Sequence, residues 1–164
     1  MAVDNKEFLL SKVCGLKVWK SNGLYAPHKP LLVILAVKWC RRGSERLNSF
    51  IDIEKSLTPL LRTLLPKESK VEPRYPFWRL QTDKIWEVQS DGGMLLRQGN
   101  TDPLRSELIS KNARGGFPQD FFNLLSSDEK FRARLIRLVL ERYFIDDEQN
   151  KICELLSLVL NQRN

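Results

Sequence analysis

Four short groups of side chains in this chain could do chemistry. His28 and Lys29 stand together just ahead of a long apolar run. Arg74 and Arg79 bracket Tyr75-Pro76-Phe77-Trp78, so cations and aromatic faces crowd into six residues. That mixture can attract an anion and also offer it apolar contact. Asp83 and Glu87, within Asp83-Lys84-Ile85-Trp86-Glu87-Val88-Gln89, come nearest to a carboxylate metal-nuclease spacing; Glu68-Ser69-Lys70 is a second match. Arg114-Gly115-Gly116-Phe117 sets an arginine beside two residues that let a backbone approach a partner closely. Arginine is the commonest specific partner of guanine O6 and N7. The same four residues read equally as a helix C-cap and turn with Arg114 solvated.

Hydrolysis is poorly supplied by these groups. His28 is the only histidine, whereas a histidine-based metal nuclease needs a histidine base and a further ligand, commonly another His. Asp83 falls in an expected turn, and Glu68 in a charged loop with no apolar strand before it. Cys14, Cys40 and Cys153 form no Cys-x-x-Cys pair, which argues against zinc and against a disulfide framework. They read as reduced thiols. No catalytic residue, metal or cofactor is expected. Phosphate binding is better served. His28 and Lys29 lie near the start of the apolar run, where free N–H groups and the helix dipole favour an anion. Lys29 adds a full charge, and His28 a donor that titrates near neutral pH. The alternative for His28 is a first-turn histidine bonded to a nearby carbonyl.

The bulk properties agree with an anionic partner. The chain has 164 residues, 42% of them hydrophobic, and a net charge of +7, with a pI of about 9.5. That is enough chain for one domain, residues 1–164, with a sizeable core. A folded basic protein points first to nucleic acid or an anionic membrane surface. The N-terminus does not read as a signal peptide and no apolar run approaches a membrane span, so a soluble cytoplasmic protein with no membrane partner is expected.

These groups must be positioned by elements, and the patterning predicts an α+β fold, a predominantly helical single domain with a small β-hairpin or sheet. Asp4 and Glu7 suggest a capping box opening a helix whose face holds Phe8, Leu9, Val13, Leu16 and Trp19, closed by Lys17, Lys20 and Ser21-Asn22-Gly23. Leu31–Val37 is too continuously apolar for a surface helix and predicts a central core helix, stopping at Arg41-Arg42-Gly43. Leu47–Phe50 predicts a strand, and Asp52 the cap of a helix ended by Pro66. Arg74–Val88 predicts a hairpin: Tyr75-Pro76 at the mouth of the first strand, a turn over Gln81–Lys84, and a second strand at Ile85–Val88. Gln89–Gly99 is a loose segment, Asp102-Pro103 opens a helix to Lys111, and Arg114–Phe117 is a loop. Helices over Ser127–Tyr143 and Glu148–Asn161 close the chain. Trp78, Trp86, Phe121, Phe122, Phe131, Tyr143 and Phe144 are expected in the core, and Arg132, Arg134, Arg137 and Arg142 on a solvated helix face.

Three blocks in combination resemble the sulfur-binding domain of phosphorothioate-dependent type IV restriction endonucleases, an HNH-associated family. They are Tyr25-Ala26-Pro27-His28-Lys29-Pro30-Leu31-Leu32, then Tyr75-Pro76-Phe77-Trp78-Arg79-Leu80 with Ile85-Trp86-Glu87-Val88, then Arg114-Gly115-Gly116-Phe117. The resemblance implies recognition of double-stranded DNA in which a sulfur replaces a non-bridging phosphate oxygen. It implies a sulfur pocket of Tyr75, Pro76, Lys29 and Arg79. The expected backbone contacts are His28, Lys29, Tyr25, Arg74 and Ser21, and the expected base-reading loop is Arg114, Gly115, Gly116 and Phe117. Arg79 stands where a small pocket-lining residue would also serve, and either clamps the phosphate or points away. Members of the family usually carry a C-terminal nuclease domain rich in histidine and cysteine. The present sequence is therefore expected to be either a domain cut from a longer enzyme or a stand-alone reader. The rival readings are a plain sequence-specific duplex binder, a metal-dependent nuclease using Asp83 and Glu87, and a protein-interaction module.

Overall fold

The computed structural model describes residues 5–92 and 102–157. Among them run eight α-helices and five short strands: α1 (Asn5–Cys14), β1 (Lys20–Ser21), β2 (Leu24–Tyr25), α2 (His28–Trp39), β3 (Asn48–Ser49), α3 (Phe50–Leu64), α4 (Arg74–Arg79), β4 (Glu87–Gln89), α5 (Arg105–Ser110), β5 (Arg114–Gly116), α6 (Gln119–Ser127), α7 (Glu129–Tyr143) and α8 (Asp146–Leu156). The class is the predominantly helical α+β one. Every residue of α2 from Pro30 to Val37 is buried. That burial answers its unbroken apolar run, and α3, α4 and α7 pack around it. No helix among the described residues is long and apolar enough to cross a membrane.

The expected hairpin over Arg74–Val88 is not formed. Residues Arg74–Arg79 are helical and continue into a 3₁₀ turn over Leu80–Asp83. Pro73 is already in the right-handed region, and Phe77 N–H donates to Pro73 O at 3.2 Å. Pro76 sits in the first turn, where its missing N–H removes no helical bond. Phe77 and Leu80, three apart, share the buried face. The strand pairing that does form is non-local: β4 pairs antiparallel with β5, and β5 lies centrally in the order β3-β5-β4.

Arg114–Gly116 is thus a central strand and not a loop. An added Cβ at Gly115 would lie 2.8 Å from Phe77 Cε2 and from Trp86 Cζ2. At Gly116 it would lie 2.1 Å from the Arg46 carbonyl oxygen. The close approach these glycines permit is to the domain's own core. Phe117 follows, 1% exposed and edge-on to Trp86 at 5.7 Å.

Near the N-terminus α1 stops at Cys14; Gly15 N–H closes a turn on Lys12 O at 3.2 Å, and the backbone donors after it are taken by distant side chains. Leu16 N–H donates to Tyr143 Oη (3.2 Å) and Lys17 N–H to Asp83 Oδ1 (2.8 Å). Leu9, Leu10 and Val13 face the core, while Phe8 is half-exposed and Trp19, expected on the same face, is 83% exposed. Asp4 lies outside the described residues. Asn22 (φ 52°) and Gly23 (φ 81°) form a two-residue turn joining β1 to β2, the hairpin that an Asn-Gly pair favours.

Other boundaries also move. The core helix ends at Trp39, before Arg41. Ser49, not Asp52, caps α3 and accepts Asp52 N–H at 3.1 Å. Asp102 does not cap a helix, since α5 begins at Arg105. Phe121 and Leu125 anchor α6, an element not expected from the patterning. Asp128 caps α7 by accepting Phe131 N–H at 3.0 Å. The last helix starts at Asp146, and its expected end at Asn161 lies outside the described residues, as do Gly93–Gly99 of the expected loose segment. Trp86, Phe121, Phe131, Tyr143 and Phe144 are buried, with Trp78 and Phe122 partly buried against them. The arginines of α7 are less idle than a solvated face: Arg132 donates to Leu125 O at 2.6 Å, and Arg142 to Cys14 O.

Candidate nucleic-acid interface

The start of α2, one face of α4 and the segment between α1 and β1 meet around a cavity of about 450 Å³. Its lining is Lys17, Val18, Trp19, Ala26, His28, Lys29, Tyr75, Pro76 and Arg79. All four residues expected of the pocket are among them, with His28. Apolar and cationic residues both line the wall.

Lys29 and Arg79 are each held by a specific partner. Lys29 Nζ lies 2.6 Å from Asp83 Oδ2, with the two side chains 12% and 2% exposed. Asp83 Oδ1 takes the Lys17 N–H, so one buried carboxylate ties α2 to the segment after α1. Arg79 Nε donates to Asp102 at 2.9 and 3.2 Å. Its guanidinium then stacks 4.4 Å from the Tyr75 ring centroid, half-exposed, at the cavity. Arg74 approaches Tyr75 at 5.0 Å while donating to Pro103 O and pairing with Glu72. Two guanidinium groups therefore bound one aromatic ring, an arrangement worth about 0.5–1 kcal/mol per contact at exposed sites. Arg79 points into the cavity, not away from it.

His28 opens α2. Burial lowers its pKa from the usual 6.5; Glu72 opposes that effect and the Arg79 cation adds to it. The imidazole is therefore neutral at neutral pH and has one N–H to give. Tyr25 packs edge-on to Tyr143 at 5.2 Å with Lys20 Nζ 5.0 Å from its ring, and Ser21 is exposed beside it on the hairpin. Tyr25, Ser21 and Arg74 do not line the cavity. Arg114 stands apart from it, on the central strand of the sheet, paired with Asp91 at 3.3 Å. Gly115, Gly116 and Phe117 are buried.

Four lining residues, Lys17, Val18, Trp19 and Ala26, were not expected at the site. Trp19 was expected on the apolar face of α1, and Lys17 at the end of that helix. Their places follow from the early helix stop and from Ala26 N–H, which donates to Trp19 O at 2.8 Å and holds the segment against β2. Ala26, inside a quoted block, carries no chemistry that marks it. The carboxylates of the nuclease alternative are engaged elsewhere: Asp83 by Lys29, Glu87 by Arg46 at 2.8 Å. Among the described residues no three His, Cys, Asp or Glu side chains gather as a metal site would need.

A cationic, aromatic-lined cavity on a basic helical domain defines an anion-recognition module. The chain belongs to the ScoMcrA-like DNA sulfur-binding domain family, whose model matches residues 6–160. Its fold is similar to that of the sulfur binding domain of SprMcrA, solved with phosphorothioated DNA: 24% identity, 94% of this chain and 95% of that one, TM-score 0.77. The sulfur binding domain of ScoMcrA, also solved with phosphorothioated DNA, has 23% identity over 90% of this chain and 97% of that one, TM-score 0.72. The chain spans 30% of the type IV phosphorothioation-dependent restriction endonuclease ScoMcrA at 22% identity, TM-score 0.69. No curated protein matches it.

Proposed function

We propose that the domain binds double-stranded DNA carrying a backbone phosphorothioate and seats the sulfur in the cavity against Tyr75 and Pro76. The convergence of those two residues with His28, Lys29 and Arg79 on one cavity carries this reading. A phosphorothioate sulfur is larger, more polarizable and less strongly hydrated than the oxygen it replaces. Enclosing an ordinary phosphate oxygen against the buried Pro76 ring strips water and returns no hydrogen bond, which is costly. A sulfur loses less there and gains dispersion contacts. Discrimination built from apolar contact amounts to about 1–3 kcal/mol.

The cations supply affinity for the same group. Lys29, fixed by Asp83, and Arg79, fixed by Asp102, present charge to the remaining oxygens without having to be ordered on binding. Their carboxylate partners moderate that charge, which leaves the sulfur contact to set the preference. The neutral His28 contributes a hydrogen-bond donor at the helix start. Tyr25, Ser21 and Arg74 follow the flanking backbone, and Arg114 reads neighbouring bases from the sheet. In this reading Gly115, Gly116 and Phe117 serve to position Arg114.

The role is binding alone, over residues 1–164 as one domain, with any cleavage left to a separate nuclease domain. Restriction of modified DNA places it in the cytoplasm, where Cys14, Cys40 and Cys153 remain thiols. Two experiments test this. Tyr75→Ala and Pro76→Ala should shrink the preference for modified over plain duplex more than they weaken binding to plain duplex; equal losses on both would make these residues structural. Incubation with either duplex in Mg²⁺ or Mn²⁺ should leave the DNA whole, and cleavage abolished by Glu87→Gln would overturn the binding-only role.

A further inference from the structure

Next to the first cavity, and sharing Lys17 with it, lies a second of about 530 Å³ between the end of α1 and the 3₁₀ turn. Lysines from three segments line it: Lys12 in the last turn of α1, Lys17 beyond that helix, and Lys84 in a left-handed conformation (φ 68°) closing the 3₁₀ turn. Its carboxylate, Asp83, is buried and engaged at both oxygens, by Lys17 N–H and by Lys29 Nζ. Ser11 and Thr82 also line it, but their hydroxyls donate to Phe8 O and Arg79 O. Among the described residues no carboxylate pairs with the ammonium of Lys12, Lys17 or Lys84; Lys12 Nζ rests 5.3 Å from the Phe8 ring centroid.

Three unpaired like charges around one concavity repel each other and draw in an anion. One strand of duplex DNA presents a backbone charge about every 3.4 Å along the axis. A strand with one phosphate seated at the first cavity must therefore carry its neighbours across the adjoining face. We infer that the cavity of Lys12, Lys17 and Lys84 binds a flanking, unmodified phosphate of the same duplex. This inference rests on the DNA-binding reading above. The site's donors are ammonium groups, so it contributes affinity without favouring sulfur.

Lys12→Gln, Lys84→Gln and the double variant keep most of each side-chain stem and remove its charge. Their affinities for modified and plain duplex of one sequence would be titrated across a salt series. The double variant should lower the salt slope by about 0.9, one phosphate's share, and each single change by less; all three should weaken both duplexes by the same factor and leave the preference for sulfur unchanged. With the modified phosphate fixed and the duplex shortened from each end, one truncation should bring wild type and the double variant to equal affinity. A wild-type slope in the double variant would overturn the inference. So would an undiminished gap between the two proteins on every shortened duplex, which would mark a general charge effect. Equal wild-type binding of modified and plain duplex would instead defeat the sulfur reading and leave the slope result standing.

Discussion

Lys29 Nζ and Asp83 Oδ2 meet at 2.6 Å beneath the cavity, and both side chains are largely withdrawn from water. The same carboxylate accepts Lys17 N–H, so this pair both charges the cavity and fixes the chain that forms its rim. Breaking a buried pair by removing one partner costs about 3–5 kcal/mol, because the other charge is left uncompensated.

Lys29→Met and Asp83→Asn should each lower stability, and the double variant should lose less than the sum of the two. Denaturant midpoints measured on all four proteins check this. Strictly additive losses would show that the contact does not couple the residues. Lys29→Met should also weaken plain and modified DNA alike, with a salt slope reduced by about 0.9.

Trp19 projects from the rim at 83% exposure, an unusual cost in water for a large apolar side chain. Bound DNA would cover it. Trp19→Ala should leave the melting temperature within about 1 °C of wild type, since it removes almost no buried surface. It should weaken modified duplex several-fold, and Trp19 fluorescence should respond to titration. An unchanged affinity would leave Trp19 outside the interface.

His28 makes binding pH-dependent with a definite sign. Burial holds its pKa below 6.5 in the free domain, and a phosphate beside the ring favours the charged form. The complex therefore takes up a proton that the free domain does not, and affinity should rise as the pH falls from about 7 toward 5.5. His28→Ala should flatten that profile. The sign for stability is opposite: as the pH falls through 6.5 the unfolded chain protonates first, so the free domain loses stability until His28 itself takes a proton. Above pH 6.5 this contribution is constant.

Gly116→Ala should be the more damaging of the two glycine substitutions. Its Cβ meets backbone at 2.1 Å, whereas that of Gly115 meets aromatic side chains at 2.8–2.9 Å. Overpacking of this kind costs about 1–3 kcal/mol, and thermal melts should place Gly116→Ala below Gly115→Ala. The reverse order would mean that the Arg46 segment yields more easily than the Phe77 and Trp86 rings.

The cavity was legible in the sequence because its main residues sit in two short blocks with marked chemistry, His28-Lys29 and Tyr75-Pro76 with Arg79. The element carrying the second block was not. Tyr75, Phe77 and the β-branched and aromatic run after Lys84 favour a strand locally, yet Pro73 and Pro76 in a first turn, with Phe77 and Leu80 facing the core, yield a helix. Trp19 was misplaced for another reason: the chain after α1 is held by partners 66 and 127 residues away, and no local signal reports them. The glycines of β5 suited a loop until the contacts of Phe77, Trp86 and Arg46 were known. The Asn22-Gly23 hairpin, by contrast, was written in a recognised turn pair and could have been read.

The central claim is tested most directly by titrating one labelled duplex, with and without a single stereo-defined phosphorothioate, at roughly physiological salt. A sulfur gain of about 1.4 kcal/mol corresponds to tenfold, so the modified duplex should bind at least about tenfold tighter. Equal affinity for the two duplexes would contradict the account and leave a basic domain that holds DNA without recognising sulfur.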